Sequence, residues 1–196
     1  MMRDFGTTDL DLYVVIAIVS IAILAAWWRK RSLSYVFFFT IFSIYLAVGL
    51  TQVIFPFYIP TNVDTGPFRL SLNLIPFDFG GCDQLPGACL TQVFQNILLT
   101  IPFGFGLRFL TRFRARNIFW IALAVGLSTE GIQLLISVAF QSAFRSVDIN
   151  DTLLNAFGVL VGYAAFIIFA WLYRTLLARF RIHPMGIFAY VSKVCE

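Results

Sequence analysis

Polar and ionisable side chains stand within, or at the mouth of, three long apolar segments of this sequence. Glu130 is the only acidic residue deep inside such a segment, and Gln133 lies three positions later on the same helix face. An ionisable residue in lipid marks a functional site or requires an ion-pair partner. At about 1.5 Å per helical residue, the polar groups of all three segments reach the same depth, just below one membrane surface. We therefore expect an outward-facing polar pocket lined by Asn96, Glu130, Gln133, Arg145, Asp148, Asp151 and Asn155.

The last of the three segments carries its polar residues as one stripe. Gly158 and Gly162 form a small-xxx-small pair at the inner end of the stripe, which lets another helix approach closely. In the first of the three segments, Pro102 predicts a kink because it cannot donate to the carbonyl four residues earlier, and Gly104 follows it. We assign Pro102, Gly104, Gly158 and Gly162 to helix packing. Intervals of three or four residues along one helix face separate Arg145, Asp148, Asp151, Asn155, Gly158 and Gly162.

Two interpretations of the polar cluster stay open. In the structural one, Arg145 pairs with Glu130 or with an aspartate, and the amides bond across helices, because buried polar groups need partners in any bundle. In the functional one, the cluster faces a ligand.

The chemistry that these residue types support is limited. Glu130, Asp148 and Asp151 offer oxygen ligands for Mg²⁺ or Ca²⁺, although two aspartates at a helix start more often cap the helix. The sequence holds no nucleophile–histidine arrangement, no phosphate-binding glycine loop and no metal-ligating Cys or His cluster. We therefore leave catalytic residues unassigned and expect neither a metal site nor a resident cofactor, with a divalent cation at the three carboxylates as the alternative.

The composition identifies lipid as the solvent for most of the chain. Of its 196 residues, 60% are hydrophobic and only 12% are charged, and the mean hydropathy is +0.86. A soluble domain of this size does not need so much apolar surface. We predict an all-α integral membrane protein with about five transmembrane helices and one long extracytoplasmic loop. The predicted spans are Leu10–Trp28, Tyr35–Phe57, Leu90–Leu110, Asn117–Phe140 and Thr152–Tyr173.

The basic residues predict the orientation of these spans. Eleven of the 14 Lys and Arg residues fall on one side, in the runs that follow the first, third and fifth spans. The positive-inside bias places that side in the cytoplasm, so that the N-terminus lies outside and the C-terminus inside. The basic run follows the first apolar segment, the reverse of a secretory signal, which favours a retained signal anchor. We interpret the basic clusters as topology determinants and lipid-headgroup contacts and expect no nucleic-acid partner.

Cysteine positions agree with this orientation. Cys82 and Cys89 both lie in the loop assigned to the outside, and Pro86-Gly87 offers a tight turn between them. An oxidising exterior would let the pair form a disulfide, with two unpaired thiols as the alternative. Cys195, on the cytoplasmic side, is expected to be a free thiol.

Over residues 35 to 175 the sequence resembles the VanZ-like membrane proteins. The resemblance is carried by "NILLTIPFGFGL", "STEGIQ", "RSVDINDTLLNAFGVLVGY" and, in the outer loop, "LNLIPF" with Asn73, Pro76 and Phe77. Thr100 departs from the apolar residue expected at its position. The resemblance implies a bacterial plasma-membrane protein related to resistance to teicoplanin, a lipoglycopeptide. It divides the chain into a signal-anchor helix (1–34), a VanZ-like membrane domain (35–175) and a cytoplasmic tail (176–196).

Three functions follow as hypotheses. In the first, the pocket binds an amphipathic or lipid-linked ligand at the outer leaflet: a membrane lipid, a lipid-linked cell-wall precursor or a lipoglycopeptide. In the second, a membrane hydrolase or transferase uses Glu130, Asp148 and Asp151 on a lipid-linked headgroup. In the third, the protein is a small transporter or scramblase, which the apolar inner half of the bundle disfavours. Small-residue faces allow a homodimer without requiring one.

Overall fold

A computed structural model describes residues 3–5, 16, 19–21, 23–24, 27, 30–54, 57–59, 71–79, 82, 85–139 and 147–196. Five helices are complete within these ranges: α1 (Leu33–Ile54), α2 (Pro86–Leu110), α3 (Ile118–Ala139), α4 (Ile149–Phe180) and α5 (Ile187–Cys195). A single 3₁₀ turn, Ala115–Asn117, leads into α3. Four short strands accompany them: β1 (Arg3–Phe5), β2 (Phe57–Ile59), β3 (Leu72–Asn73) and β4 (Val147–Asp148).

Four of the described helices are long and apolar enough to cross a membrane. They cover Leu33–Val53, Pro86–Leu110, Ala115–Ala139 and Ile149–Phe180. The described positions between 16 and 27 are helical as well, within the first predicted span, whose other residues lie outside the described part. The predicted fold class, an all-α multi-pass membrane protein, is confirmed.

Helix α4 lies between α2 and α3, and glycines set its distance from both. A Cβ atom added to Gly158 would overlap the backbone carbonyl of Ile97 and the Thr100 hydroxyl on α2. On the other side, a Cβ on Gly126 of α3 would overlap the carbonyl of Thr152. The helix backbones are therefore in direct contact, which only small residues permit. Gly104 and Gly162 are packed in the same way across the α2–α4 contact.

Thr100 stands where an apolar residue was expected, and its contacts explain the hydroxyl. Thr100 is buried at the α2–α4 contact, and its Oγ1 donates to the Asn155 carbonyl at 2.7 Å. The hydroxyl thus adds an interhelical hydrogen bond in a region where water is scarce. Helix α2 continues through Pro102 to Leu110.

An aromatic core fills the end of the bundle where α2 and α4 end. Phe109, Phe166, Val191 and Cys195 are buried together there. Helix α5, which follows α4, packs onto this core, and its Tyr190 hydroxyl donates to the Phe109 carbonyl. Cys195 is a free thiol, as predicted. The residues assigned to a tail thus include a helix that packs against the bundle.

Strand β1 pairs antiparallel with β2, with Arg3 opposite Ile59. The chain near residue 5 therefore lies beside the end of α1, and it reaches the beginning of α1 by residue 33. Helix α1 has 22 residues and is about 33 Å long, so residues 5 and 33 lie near its opposite ends. This arrangement fits a first membrane crossing before α1.

The structure lengthens the fifth predicted span and changes how it starts. Helix α4 runs from Ile149 to Phe180, beyond both predicted limits, and Asp148 caps it by accepting a hydrogen bond from the Asn150 backbone N–H. Asp148 lies in β4 and precedes the helix, so helical spacing applies to the polar stripe only from Asp151 onward. Arg145 lies outside the described residues.

Candidate functional site

The polar cluster forms where a loop returns to the start of α4. Strands β3 and β4 pair in parallel, with Leu72 opposite Val147 and Asn73 opposite Asp148. The Val147 N–H donates to the Ser71 carbonyl at 3.0 Å. This two-residue pairing holds residues 71–79, which carry "LNLIPF", against the first turn of α4. We call this end of the bundle, where α2 and α4 begin, the polar end.

Asn150 connects the loop to the helix. It is 2% exposed. Its Oδ1 accepts from the Phe77 N–H at 2.6 Å, and its Nδ2 donates to the Asp78 carbonyl at 2.7 Å. A side-chain amide can satisfy a backbone donor and a backbone acceptor at once, which explains why an asparagine suits this position.

Both carboxylate oxygens of Asp148 accept hydrogen bonds that join the loop of residues 71–79 to the start of α4. Its Oδ1 accepts from the Asn150 backbone N–H at 2.8 Å and from the Asn150 Nδ2 at 2.9 Å. Its Oδ2 accepts from the Nδ2 of Asn73 at 3.1 Å. Asp148 is therefore the N-cap of α4, and it also binds the loop through Asn73.

Glu130, on α3, contacts the backbone just before α4. Its side chain is 5% exposed, and its Oε2 accepts from the Asp148 backbone N–H at 2.9 Å. Gln133, one turn further along α3, is buried as well. A carboxylate that accepts a backbone N–H in a water-poor interior makes a strong hydrogen bond, so Glu130 stabilises the approach of α3 to the start of α4.

Asn155 connects all three central helices. Its Nδ2 donates to the Thr129 hydroxyl of α3 at 3.1 Å, while its backbone carbonyl accepts from Thr100 of α2. Its Oδ1 is buried and has no hydrogen-bond partner among the described residues.

Asp151 lies at the edge of the cluster and faces α2. It is half-buried, and it accepts a hydrogen bond from the Nδ2 of Asn96. Gln92, which is exposed, approaches both carboxylate oxygens with its Nε2 at 3.2 Å. We call Asp151, Asn96 and Gln92 the carboxylate rim.

Residues 42–171 match the sequence model of the VanZ/LLP1 family. The chain belongs to the VanZ/LLP1 family. The matched range contains every residue of the cluster, from Asn73 to Asn155. No curated protein and no solved structure matches the chain.

The described residues that were predicted to line an outward-facing pocket fall into two environments. Glu130, Gln133 and Asn155 are buried, whereas Asn96, Asp148 and Asp151 are half-buried. The structure brings Asn96 to Asp151 and brings Glu130 to the backbone of Asp148. Whether any of them contacts a ligand stays a prediction.

Gln92 and Asn150 belong to the polar cluster but were not among the residues predicted from the sequence. Gln92 lies four residues before Asn96 and therefore on the same face of α2. Asn150 stands between the two aspartates, and only its pairing with the distant loop shows what its amide does. Helical spacing could have identified Gln92, whereas no local signal identifies Asn150.

Apolar side chains of the same loop remain outside the cluster. Leu74, Ile75 and Phe77 are 67%, 64% and 79% exposed. Phe77 has a φ of 66°, in the left-handed region, and its N–H is held by Asn150. A bulky residue persists in this conformation only when the surrounding contacts fix it, so the loop displays Phe77 in a defined position.

The disulfide predicted beside the site is confirmed. Cys82 and Cys89 are joined with an S–S distance of 2.02 Å and a Cα–Cα distance of 5.3 Å. Because Cys89 lies in the first turn of α2, the bridge fastens the preceding loop to the polar end.

A divalent cation at the carboxylates stays a prediction. Within the described ranges, no group of three or more His, Cys, Asp or Glu side chains is placed to hold a metal ion. Two of the three candidate carboxylates already accept hydrogen bonds from backbone N–H groups, Glu130 from Asp148 and Asp148 from Asn150.

Proposed function

We propose that this VanZ/LLP1 protein binds an amphipathic ligand at the outer leaflet through its carboxylate rim. The observation that supports the proposal is the placement of Asp151. It lies in the first turn of α4, half-buried, where side-chain amides from α2 hold its carboxylate in position. A carboxylate fixed in this way at the edge of a membrane bundle can receive the polar part of a ligand with little reorganisation.

The buried members of the cluster provide the frame for this rim. Glu130 holds the backbone that precedes α4, and Asn155 joins α4 to its neighbours. Because these side chains are directed at protein groups, we assign them to positioning and assign ligand contact to Asp151, Asn96 and Gln92.

The chemistry of the rim favours a ligand that donates hydrogen bonds or carries positive charge. The carboxylate of Asp151 and the side-chain amide oxygens of Asn96 and Gln92 are hydrogen-bond acceptors, which suit the amide and amine N–H groups of a ligand better than the oxygens of a phosphate. A lipoglycopeptide combines a polar peptide body with an acyl chain, and at the family level VanZ proteins are linked to teicoplanin resistance. Among the three ligand classes predicted from the sequence, we therefore favour the lipoglycopeptide.

The apolar loop suits the other half of such a ligand. Leu74, Ile75 and Phe77 are exposed in the loop that Asn73 fastens to Asp148. Apolar side chains beside a polar site at the membrane interface can contact an acyl chain while the rim contacts the polar body.

Two independent features support placing the rim at the outer surface of a bacterial plasma membrane. The basic residues concentrate at the opposite end of the bundle, as the positive-inside bias predicts for a cytoplasmic face. The Cys82–Cys89 disulfide is at the polar end, and disulfides persist in oxidising compartments.

A binding measurement in nanodiscs tests the proposal. Purified protein is titrated with teicoplanin and, separately, with the teicoplanin core that lacks the acyl chain. The wild type should bind teicoplanin about tenfold more tightly than the core, because the loop contacts the chain. Asp151→Asn should weaken teicoplanin binding about tenfold, since a charge-assisted hydrogen bond is lost.

Asp83→Asn is the matched control, because it removes one carboxylate from the same predicted side of the membrane. It should bind within about twofold of the wild type. Equal losses in the two variants would mean that general surface charge attracts the ligand. An Asp151→Asn protein that binds like the wild type would overturn the proposal.

A further inference from the structure

A second polar feature lies at the opposite end of the bundle from the carboxylate rim. A cavity of about 880 Å³ opens where α1 begins, α2 ends and α5 packs against both. Arg108 follows Asn96 by 12 residues on α2, which places the two about 18 Å apart along the helix. The cavity is therefore separate from the site proposed above. Its charged lining residues are Lys30, Arg31, Arg108, Arg112, Lys193 and Glu196.

The charges of this lining are unbalanced. Five cationic side chains from three different parts of the chain face one acidic side chain, that of Glu196. The helix dipole accounts for cations at the end of α2, where Arg108 lies in the last turn. It accounts in the same way for Lys193 in the last turn of α5, but not for Lys30 and Arg31, which precede α1. Gathering like charges costs free energy that a bound anion would recover.

Arg108 supplies a second, independent indication. One guanidinium nitrogen, Nη1, donates to the Phe113 carbonyl at 3.0 Å, and the group lies over the Phe113 and Phe166 rings at 5.4 and 5.7 Å. These contacts fix the plane of the guanidinium. Its Nε is buried and has no hydrogen-bond partner among the described residues. Buried donors are normally paired, and Arg108 lines the cavity, so this N–H is a donor that an anion bound there would engage.

The remaining lining selects the class of anion. Ser32 and Thr111 add hydroxyl groups to the cavity, and Phe109, Leu110 and Val194 add apolar surface. Arginines, a hydroxyl and a lysine are the groups that bind phosphate oxygens. Typical ligand pockets measure about 300 to 1,000 Å³, so the volume suits a headgroup with its first carbons better than a lone phosphate ion.

We propose that this cavity binds the phosphate headgroup of an anionic membrane lipid. Arg31, Arg112 and Lys193 contact the phosphate oxygens, and the apolar wall contacts the start of the lipid chain. Basic pockets between helices on the side of a membrane protein with excess Lys and Arg commonly hold such headgroups. Glu196 opposes the bound anion and limits its affinity.

Native mass spectrometry of the full chain in detergent tests this proposal, with dioleoyl phosphatidic acid as the probe and dioleoyl phosphatidylcholine as the zwitterionic reference. The cavity triple variant is R31Q/R112Q/K193Q, and all three positions are exposed. The matched control is R116Q/R179Q/R181Q, which removes three exposed cations from the same end without touching the cavity.

The cavity triple should bind phosphatidic acid at least tenfold more weakly than the wild type, while the control triple stays within about twofold. Glu196→Gln should tighten binding several-fold. Equal weakening in the two triples would overturn the proposal, because general surface charge would then explain binding. Phosphatidic acid bound no more tightly than phosphatidylcholine would also overturn it.

Three further measurements complete the design. Inorganic phosphate and glycerol 3-phosphate are added as competitors. Failure to displace the lipid at millimolar concentration supports a lipid headgroup, and displacement identifies a soluble phosphate compound as the occupant instead.

If the triple variant does not remain monodisperse, Arg112→Gln alone should still bind phosphatidic acid about threefold more weakly. Teicoplanin binding should be unchanged in the cavity variants, which separates this result from the test of the rim.

Discussion

Glu130 and Asp151 are carboxylates of one cluster that differ in their surroundings. Glu130 is 5% exposed and accepts the Asp148 backbone N–H from inside the protein. Asp151 is half-buried in the first turn of α4 and accepts a hydrogen bond from an amide side chain of α2. The same functional group therefore stabilises the fold at one position and remains accessible at the other.

This difference predicts that two conservative variants lose thermal stability to different extents. Glu130→Gln keeps an acceptor for the Asp148 N–H but loses the charge, which should cost about 1 to 3 kcal/mol. For a chain of this length, Tm should fall by about 2 to 12 °C. Asp151→Asn should lower Tm less, because water can replace the lost hydrogen bonds.

Thermal unfolding of the purified, detergent-solubilised variants measures both effects. Teicoplanin binding, measured on the same samples, separates the two roles: Glu130→Gln should lose binding only in proportion to its loss of folded protein. If the Tm of Asp151→Asn falls as far as that of Glu130→Gln, the rim stabilises helix packing and does not serve a ligand.

At the scale of the elements, contact between helix backbones organises the bundle. Gly158 and Gly162 meet α2 at backbone distance, and Gly126 brings α3 to the same closeness with α4. The buried hydrogen bonds from Thr100 to Asn155 and from Asn155 to Thr129 lie between these contacts. The polar cluster depends on this packing, because a wider spacing would separate the donors from their acceptors.

The glycines of α3 and α4 offer a matched pair of substitutions. Gly158→Ala should destabilise the protein by about 1 to 3 kcal/mol, because the added methyl group overlaps the Ile97 carbonyl. Gly131→Ala adds the same methyl group where nothing lies within 4 Å. That change should be neutral or stabilising by up to about 1 kcal/mol, since alanine favours helices.

The two alanine variants can be compared by the temperature at which the monodisperse peak is lost in size-exclusion chromatography. A Gly158→Ala protein as stable as Gly131→Ala would contradict the close contact of α2 and α4.

At the scale of the whole molecule, two chemically different ends face opposite surfaces. The polar end carries the disulfide and the carboxylates, and the other end carries the basic cavity and α5. Strands β1 and β2 place residues near the N-terminus beside the end of α1, at the polar end. This distribution is the one that an outside N-terminus and an inside C-terminus require.

Reporter fusions test that orientation. A reporter active only in the cytoplasm should work when fused after Glu196 and fail when inserted at Asp64, which lies outside the described residues. Fusion at Glu196 keeps α5, whose Val191 and Cys195 are part of the core. Activity from the Asp64 insertion would contradict the orientation and the outer-leaflet placement of the rim.

The sequence alone determined the class of the protein and the regions that matter. Hydropathy requires helices of membrane length, because backbone groups in lipid must be paired within each segment. Charge distribution and cysteine positions predicted the orientation and the confirmed disulfide, and spacing alone marked Asp151, Asn155, Gly158 and Gly162 as one face. These features are local or additive along the chain, so a linear reading can find them.

Only the tertiary structure decided which polar groups are buried and what each one holds. Asn150 hydrogen-bonds to the backbone of Phe77 and Asp78, more than 70 positions earlier, and Arg108 and Lys193 line one cavity. Helical periodicity gives the face of a residue but not the element that covers it. Which element covers a residue depends on how closely the helices pack, and the glycine contacts set that distance. It also depends on the pairing of β3 with β4, which places Asp148 before α4 although the spacing predicted it within the helix.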